Sequence, residues 1–403
     1  MRVPFFKPDI SEAEIAAVVQ CLRSGWLTTG PMTKEFEVEF ARYVGAKHAI
    51  ALNSCTAALH LALEAVGVRR GDLVLVPTMT FAATAEVVRY FDATPVFVDC
   101  SPETMCIDIA AARDVLTRIR DGQPVPGVMT DQRTVRAIIP MHYAGQMVDV
   151  DAIKKLAEEF GITVIEDAAH TLPAFTRSSS TSEWRSVGTT AGITCFSFYA
   201  NKCITTGEGG MAVTDDDALA DRMRLMSLHG MSKDAWKRYT SAGSWYYEVV
   251  APGFKYNLTD IASAIGKNQL ARADALWAAR KRIAAGYHRL LRDVPGIELA
   301  VELADRQHSW HLYSIRLDLS VWKIGRDVFI EELKNRGVAT SVHWMPLHMQ
   351  PYYREMYGYQ AKDYPVAAAM WPRLVSLPIF PTMTDDDLEY VVGVIRDLAH
   401  RQT

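Results

Sequence analysis

Between residues 46 and 215 short apolar runs alternate with amphipathic stretches, and this alternation narrows the fold more than any other feature of the chain. It is the pattern of parallel strands joined by helical crossovers, so the class is α/β with a mostly parallel sheet. The spacing predicts strands over 48–52, 73–77, 95–99, 136–140, 162–166, 194–198 and 211–214, and helices over 12–23, 56–66, 82–90 and 151–160. Segment 173–192, rich in Ser, Thr and Gly, reads as a surface loop, and a Ser-Gly-Tyr-rich piece around 240–252 as a second. From Thr259 a helical pattern runs through Ala262, Ile265, Leu270, Ala273 and Leu276 to about Leu291. The remainder alternates strand and helix in a way that suits a smaller α+β domain. The expected division is a large domain over 1–262 and a small C-terminal domain over 263–403.

Composition excludes several classes of function. With 403 residues, 49% of them hydrophobic, the chain can bury a large core, and a formal net charge of -4 gives no global attraction to nucleic acid or an acidic membrane. The six cysteines show neither CxxC spacing nor the density of a disulfide scaffold, which points to free thiols in a reducing compartment and to no metal site. Met1-Arg2-Val3-Pro4-Phe5 lacks the long apolar stretch of a signal peptide, and no run is apolar enough to span a bilayer. A cytoplasmic protein is expected.

Three segments carry chemistry. Asn53-Ser54-Cys55-Thr56-Ala57-Ala58-Leu59-His60 is a polar turn between a predicted strand and a predicted helix. Free N–H groups at such a helix start, with hydroxyls from Ser54 and Thr56, can cradle a phosphate. Taken alone, the turn reads better as plain helix capping. Next, the apolar strand ending in Glu166-Asp167-Ala168-Ala169-His170 puts Asp167 at the carboxyl end of a sheet strand, where ligands bind. A carboxylate there can keep a pyridine nitrogen protonated, although an Asp that merely caps the following turn is the equal alternative. Finally, Lys202 stands between an apolar strand and the Gly-rich Thr205-Thr206-Gly207-Glu208-Gly209-Gly210, with Ser197 five residues earlier. A lysine in a desolvated crevice can lose its proton and attack an aldehyde, whereas most loop lysines are simply solvated.

In this order the three segments resemble the DegT/StrS family of nucleotide-sugar aminotransferases, fold-type I enzymes that use pyridoxal 5'-phosphate (PLP). The resemblance extends through Ser24-Gly25-Trp26-Leu27-Thr28-Thr29-Gly30-Pro31, Thr80-Phe81-Ala82-Ala83-Thr84, Ala137-Ile138-Ile139-Pro140-Met141-His142-Tyr143-Ala144-Gly145, Gly253-Phe254-Lys255-Tyr256-Asn257-Leu258-Thr259-Asp260 and Val342-His343-Trp344-Met345-Pro346-Leu347-His348. The opening segment and the one around Asn257 are most similar to the subgroup that makes UDP-4-amino-4-deoxy-L-arabinose.

The resemblance implies that Lys202 carries the cofactor as a Schiff base and shuttles the proton, and that Asp167 pairs with the pyridine nitrogen. Ser54, Thr56, the backbone at Ala57 and Ser197 would hold the phosphate. Phe81 would stack on the ring, and His170 would approach the phenolic oxygen. Asn257, or failing it Lys255, would complete the site across a homodimer interface, and Trp26, Thr28 and His343 would face substrate. L-Glutamate is the expected donor and a nucleotide-linked keto-sugar the acceptor, with C4 amination in ping-pong order, for a cell-surface polysaccharide such as lipopolysaccharide or for a secondary metabolite. Pyridoxamine phosphate (PMP) would be the carrier between the two halves. Rival readings are a related dehydratase, against which Lys202 argues because that enzyme has His there, an aminotransferase of cyclitol ketones, and a PLP-binding sensor without turnover.

The sequence departs from the family at two places. Cys55 stands where Gly is common and would be strained if the turn required positive φ. The stretch after His170, Thr171-Leu172-Pro173-Ala174-Phe175-Thr176-Arg177-Ser178, differs from the usual small-residue and Gly pattern that leads into a short hairpin.

Overall fold

A computed structural model describes residues 2–129, 131, 132, 134–231 and 247–402. Its centre is a seven-stranded sheet. In chain order the strands are β1 (His48–Leu52), β2 (Leu73–Pro77), β3 (Thr94–Val98), β4 (Val135–Ile138) and β5 (Thr163–Asp167). After a short hairpin of β6 (Phe175–Thr176) and β7 (Arg185–Ser186) come β8 (Ile193–Ser197) and β9 (Gly210–Thr214). The spatial order is β1-β9-β8-β5-β4-β2-β3. Residues of β2, β3 and β9 are buried along their whole length, as in a sheet covered on both faces.

The sheet is mostly parallel, as expected, with one strand reversed. β9 runs antiparallel to both β8 and β1, whereas β3, β2, β4, β5 and β8 are mutually parallel. No helix lies between β8 and β9, and without a crossover the chain returns in the opposite direction.

Helices α1 (Glu12–Ser24), α2 (Pro31–Val44), α3 (Cys55–Ala65), α4 (Ala82–Arg89), α5 (Ile109–Arg120), α6 (Val150–Phe160) and α7 (Asp217–Ser227) accompany this sheet. Of these α2, α5 and α7 were not anticipated, although their signals are present. Pro31 opens α2 and Gly45 closes it at φ 85°, while Asp108 and Asp216 accept first-turn N–H bonds at the starts of α5 and α7. The single helix expected over 259–291 is two, α8 (Asp260–Ala271) and α9 (Ala273–Leu291). Arg272 leaves the helical region at the break (φ -108°, ψ 3°), and its guanidinium is held by Asp9 at 2.6 Å and Glu14 at 3.0 Å.

The C-terminal part adds β10 (Ile297–Glu298), β11 (Arg306–Gln307), β12 (Tyr313–Leu317) and β13 (Leu374–Leu377). Its helices are α10 (Arg326–Asn335), α11 (Pro351–Tyr357), α12 (Pro365–Met370) and α13 (Asp385–Gln402). β10, β12 and β13 form an antiparallel sheet whose core includes Tyr313, Phe329, Val375 and Ile395. Helix α9 feeds both cores, Leu276 entering the large one and Ile283, Tyr287 and Leu291 the other.

Segment 173–192 is not a solvated loop. Its hairpin pairs with β11, and Ala174 and Val187 are fully buried because backbone pairing draws the segment onto the C-terminal part. The stretch after His170 therefore does lead into a short hairpin. Most of the loop expected around 240–252 lies outside the described residues. No helix among the described residues is long and apolar enough to cross a membrane.

Candidate active site

The site lies at the carboxyl ends of β5 and β8, beside the start of α3, where a doubly covered sheet presents ligands. Ser54 caps α3 from an extended backbone (φ -166°), its Oγ accepting the Ala57 N–H at 3.0 Å. The N–H groups of Cys55 and Thr56 are the other first-turn donors that a helix start leaves without intrahelical partners. The Ala57 N–H, expected to face phosphate, is thus already engaged by Ser54. Cys55 is the first helical residue, with no positive φ, so the anticipated strain is absent. Its buried thiol points at the Cys195 carbonyl at 3.6 Å, and burial pushes the thiol pKa well up, which leaves a packing group rather than a nucleophile.

β9 passes directly beneath this turn. A Cβ on Gly210 would stand 2.4 Å from the Ser54 carbonyl carbon and 2.5 Å from the Cys55 nitrogen, so only glycine permits the approach.

Asp167 ends β5 and is 4% exposed. Its carboxylate accepts from the Thr84 hydroxyl at 2.8 Å and the Ala169 N–H at 3.1 Å, both neutral donors. Burial raises its pKa, opposed by those two bonds and by the charge of Lys202. Lys202 follows β8 in the turn where its N–H bonds to Tyr199 O at 2.9 Å. Burial lowers its ammonium pKa, and Asp167, Cys55 and Cys203 pull the other way. A lysine so placed reaches its neutral, nucleophilic form more readily than a solvated one.

His170 is 1% exposed, and its Nδ1 accepts the Ala144 N–H at 3.2 Å, which assigns the ring proton to Nε2. Burial first, then Lys202, holds its pKa well below the ordinary imidazole value, so the ring is neutral at pH 7. It packs 4.2 Å from the His311 ring and 5.0 Å from Trp344. Phe81 projects into the open, its ring 6.2 Å from Trp344. The Ser197 hydroxyl accepts the Tyr199 N–H at 3.3 Å, and Thr56 is half-buried at the helix start. His343 bonds Ser376 Oγ at 2.8 Å, stacks on Phe5, and is depressed to a pKa of about 4, by burial first and by Lys202 second.

Three expected residues belong to a neighbouring cluster. Asn257 donates to Thr29 Oγ1 at 2.7 Å and accepts from Lys255, while Trp26 Nε1 donates to Thr29 O at 3.2 Å and Thr28 O accepts the Asp260 N–H at 3.1 Å. The strand-like segment bearing Asn257 lies along its own chain's Leu52 and Asn53, next to the phosphate turn. His348 stands apart, bonded to Thr78 at 2.7 Å.

Sequence reasoning missed Thr84, His311 and Trp344 as members of the site. Thr84 had a signal, since it closes the Thr80-to-Thr84 segment that carries the family resemblance; Thr80, in the bend before α4, bonds it at 2.7 Å. His311 had none, because it arrives from the C-terminal part by tertiary packing. The donor set suits PLP. A buried carboxylate satisfied only by neutral donors can take a pyridinium partner, a buried amine can take an aldehyde, and a helix start with hydroxyls can take a phosphate.

Comparison with known proteins gives the family. The model of the DegT/DnrJ/EryC1/StrS aminotransferase family matches residues 8–396, and the chain belongs to that family. It is 43% identical over 397 residues to the spore coat polysaccharide biosynthesis protein SpsC of Bacillus subtilis, covering 98% of this chain and 97% of the relative. Among solved structures, Spr1654 of Streptococcus pneumoniae, titled a sugar aminotransferase and solved in a PLP form, superposes with a TM-score of 0.86 at 31% identity, over 100% of this chain and 99% of that one. DesV of S. venezuelae superposes at 0.85 with 30% identity over the full length of both. The fold is fold type I, and the protein is a PLP-dependent sugar aminotransferase.

Proposed function

We propose that this protein transfers an amino group from L-glutamate to the keto carbon, at C4, of a UDP- or dTDP-linked keto-deoxy sugar, and that it does so in the cytoplasm as a homodimer. The observation that carries the catalytic part is the buried amine of Lys202 beside the buried carboxylate of Asp167, held by neutral donors at the strand ends. Support for the acceptor comes from the relatives. SpsC is named for polysaccharide biosynthesis, and PseC of Helicobacter pylori, 26% identical, for the biosynthesis of pseudoaminic acid.

Bound PLP supplies an electron sink for the carbanion that deprotonation creates at the substrate carbon. The chain does the rest. Lys202, whose charged form burial disfavours, would take the proton from the substrate carbon and deliver it on the same face. Asp167 would pair with the pyridine nitrogen, and the bonds from Thr84 and the Ala169 N–H favour its ionised form against the burial that raises its pKa. Neutral His170 offers its Nε2–H to the phenolic oxygen. Ser54, Thr56 and Ser197, with the first-turn N–H groups of Cys55 and Thr56, would bind phosphate at the α3 start, the Ala57 N–H joining them only by leaving Ser54, while Phe81 would cover the ring and Asn257 would complete the phosphate site of the second copy. Trp26, Thr28 and His343 meet substrate. The division into domains over 1–262 and 263–403 is part of the same proposal.

The test is the visible spectrum of the PLP-loaded protein before and after L-glutamate, beside Lys202→Ala. The band of lysine-bound cofactor should be lost on adding glutamate to the wild type and should never form in the variant. Product analysis with a UDP-4-keto sugar and a cyclitol ketone then separates the acceptors. Equal kcat/KM for the two would sink the nucleotide-sugar assignment.

A further inference from the structure

His170 is gripped by a strap of the C-terminal part, residues 308–312, and the strap is held in turn by one buried cation. The Ser309 hydroxyl donates to the His170 carbonyl at 2.5 Å, and the His311 ring packs 4.2 Å from the His170 ring. The Ser309 N–H bonds the Gly145 carbonyl and the Leu312 N–H the Ala144 carbonyl, both at 3.1 Å, while the Ala144 N–H holds His170 Nδ1. Strap and turn thus close around His170 from two sides. Both are bent to do so, since Trp310 (φ 54°) and Ala144 (φ 58°) sit in the left-handed region that side chains disfavour. Backbone in such conformations needs surroundings that fix it, and it gathers at functional sites.

Helix α9 supplies the fixing groups. Trp277 Nε1 donates to the His308 carbonyl at 2.9 Å. One turn further on, Arg280 Nη1 donates to the carbonyls of Trp310 at 3.4 Å, His311 at 3.3 Å and Ile379 at 3.0 Å. Arg280 is 3% exposed, its Nε has no partner, and among the described residues no carboxylate pairs with it. A cation buried on carbonyls alone is less favourable for stability than a well-packed apolar side chain of its size, so overall stability does not account for it. Its contacts serve the strap. The ionisable groups facing the His311 ring are Lys202, Arg280, His343 and His308, all of which, after burial, lower its pKa.

We infer that Arg280 is a positioning residue of the transamination site: by holding the carbonyls of Trp310 and His311 it sets His311 against His170, and so aims the His170 Nε2–H at the phenolic oxygen of the cofactor. The inference rests on the reading that His170 meets that oxygen. When the link between Lys202 and the cofactor loses its proton, the charge on the phenolic oxygen is left unshared, and a donor there favours the loss. A displaced His170 withdraws that donor.

The experiment is a spectral titration with pH of the PLP-loaded wild type, Arg280→Met, His311→Ala and the double variant, beside hydrogen-exchange mass spectrometry of the cofactor-free proteins. Methionine replaces the guanidinium with an apolar chain that a core accepts. In Arg280→Met the pH at which the band of lysine-bound cofactor changes form should rise by about one unit, a roughly tenfold change in proton affinity and the scale of a weakened hydrogen bond to a charged group. His311→Ala should raise it as far, and the double variant no further. The peptide spanning 308–312 should exchange faster in cofactor-free Arg280→Met, with those of β2 and β4 unchanged. An unshifted titration, a strap that exchanges at the wild-type rate, or shifts that add in the double variant overturns the inference, by making Arg280 purely structural or a group that acts by charge alone. Should Arg280→Met not fold, Arg280→Gln, which keeps a donor, decides the matter in the same cycle. The reading of His170 fails separately, if His170→Phe titrates like the wild type while the strap of Arg280→Met exchanges fast.

Discussion

The Thr84 hydroxyl donates to Asp167 Oδ2 at 2.8 Å, joining the first turn of α4 to the end of β5 across 83 residues of sequence. Burial drives the Asp167 pKa up, and this bond is the first of the effects that bring it down. Thr84→Val keeps the shape and removes the donor, so the carboxyl becomes harder to ionise and holds a pyridinium less well. Cofactor affinity should fall by roughly tenfold, the scale of one hydrogen bond to a charged group, as read by dialysis against decreasing PLP.

Gly210→Ala should damage the same cofactor site from below. The new methyl would need space already taken by the Ser54 and Cys55 backbone, and β9 must shift to make it. A destabilisation of about 1–3 kcal/mol is expected from overpacking, with weakened PLP retention, both measured by urea unfolding with and without cofactor.

Asp260 joins two helix starts. It is 3% exposed, opens α8, and accepts at the start of α2 from the Gly30 N–H at 2.7 Å, the Met32 N–H at 3.2 Å, the Thr33 N–H at 2.9 Å and the Thr33 hydroxyl at 2.6 Å. A carboxylate at a helix N-terminus meets both free donors and the positive end of the dipole. Asp260→Ala takes this partner from three N–H groups at the start of α2, the buried Thr33 N–H among them, and should cost about 2–4 kcal/mol. Asp260→Asn should recover part of that loss in the same unfolding assay.

Acid should weaken the fold before its carboxylates titrate. Burial lowers His60, His343 and His348 to pKa values of about 4 and His308 to about 3, against an ordinary value near 6.5. Between those limits the unfolded chain binds protons that the native one refuses, so stability rises with pH. It is complete above about 6.5 and is lost progressively as pH falls toward about 4. Urea midpoints should drop steadily from pH 7 to pH 5, and His348→Asn should make that slope shallower.

Cysteine chemistry gives a further check. All six thiols are free and buried, and burial raises the pKa of Cys55, Cys106 and Cys195. A thiol reagent such as DTNB should titrate six groups per chain in denaturant and almost none in the native protein.

The strands were legible because their signal is local. β1 and β2 fall on the predicted residues, and β4, β5 and β8 are displaced by one or two. Buried strands flanked by Gly, Pro and Asp announce themselves within a few residues. The direction of β9 did not, since it depends on whether a crossover intervenes, and 198–209 reads equally well as a turn or as a connection. The break at Arg272 was equally hidden, because the helical period continues through it and its ion-pair partners Asp9 and Glu14 lie about 260 positions away.

By itself the sequence determined the α/β class, the family and the three chemical segments, since strand period, turn chemistry and the Asp167-to-Lys202 order are properties of neighbours along the chain. Only the tertiary structure decided what acts on those groups. Thr84 beneath Asp167, Gly210 beneath Ser54 and His311 against His170 join residues distant in sequence. Burial is what displaces the pKa values of Asp167 and Lys202, and burial belongs to the packed molecule, because a carboxylate or an amine loses its water only when segments from both ends of the chain close around it.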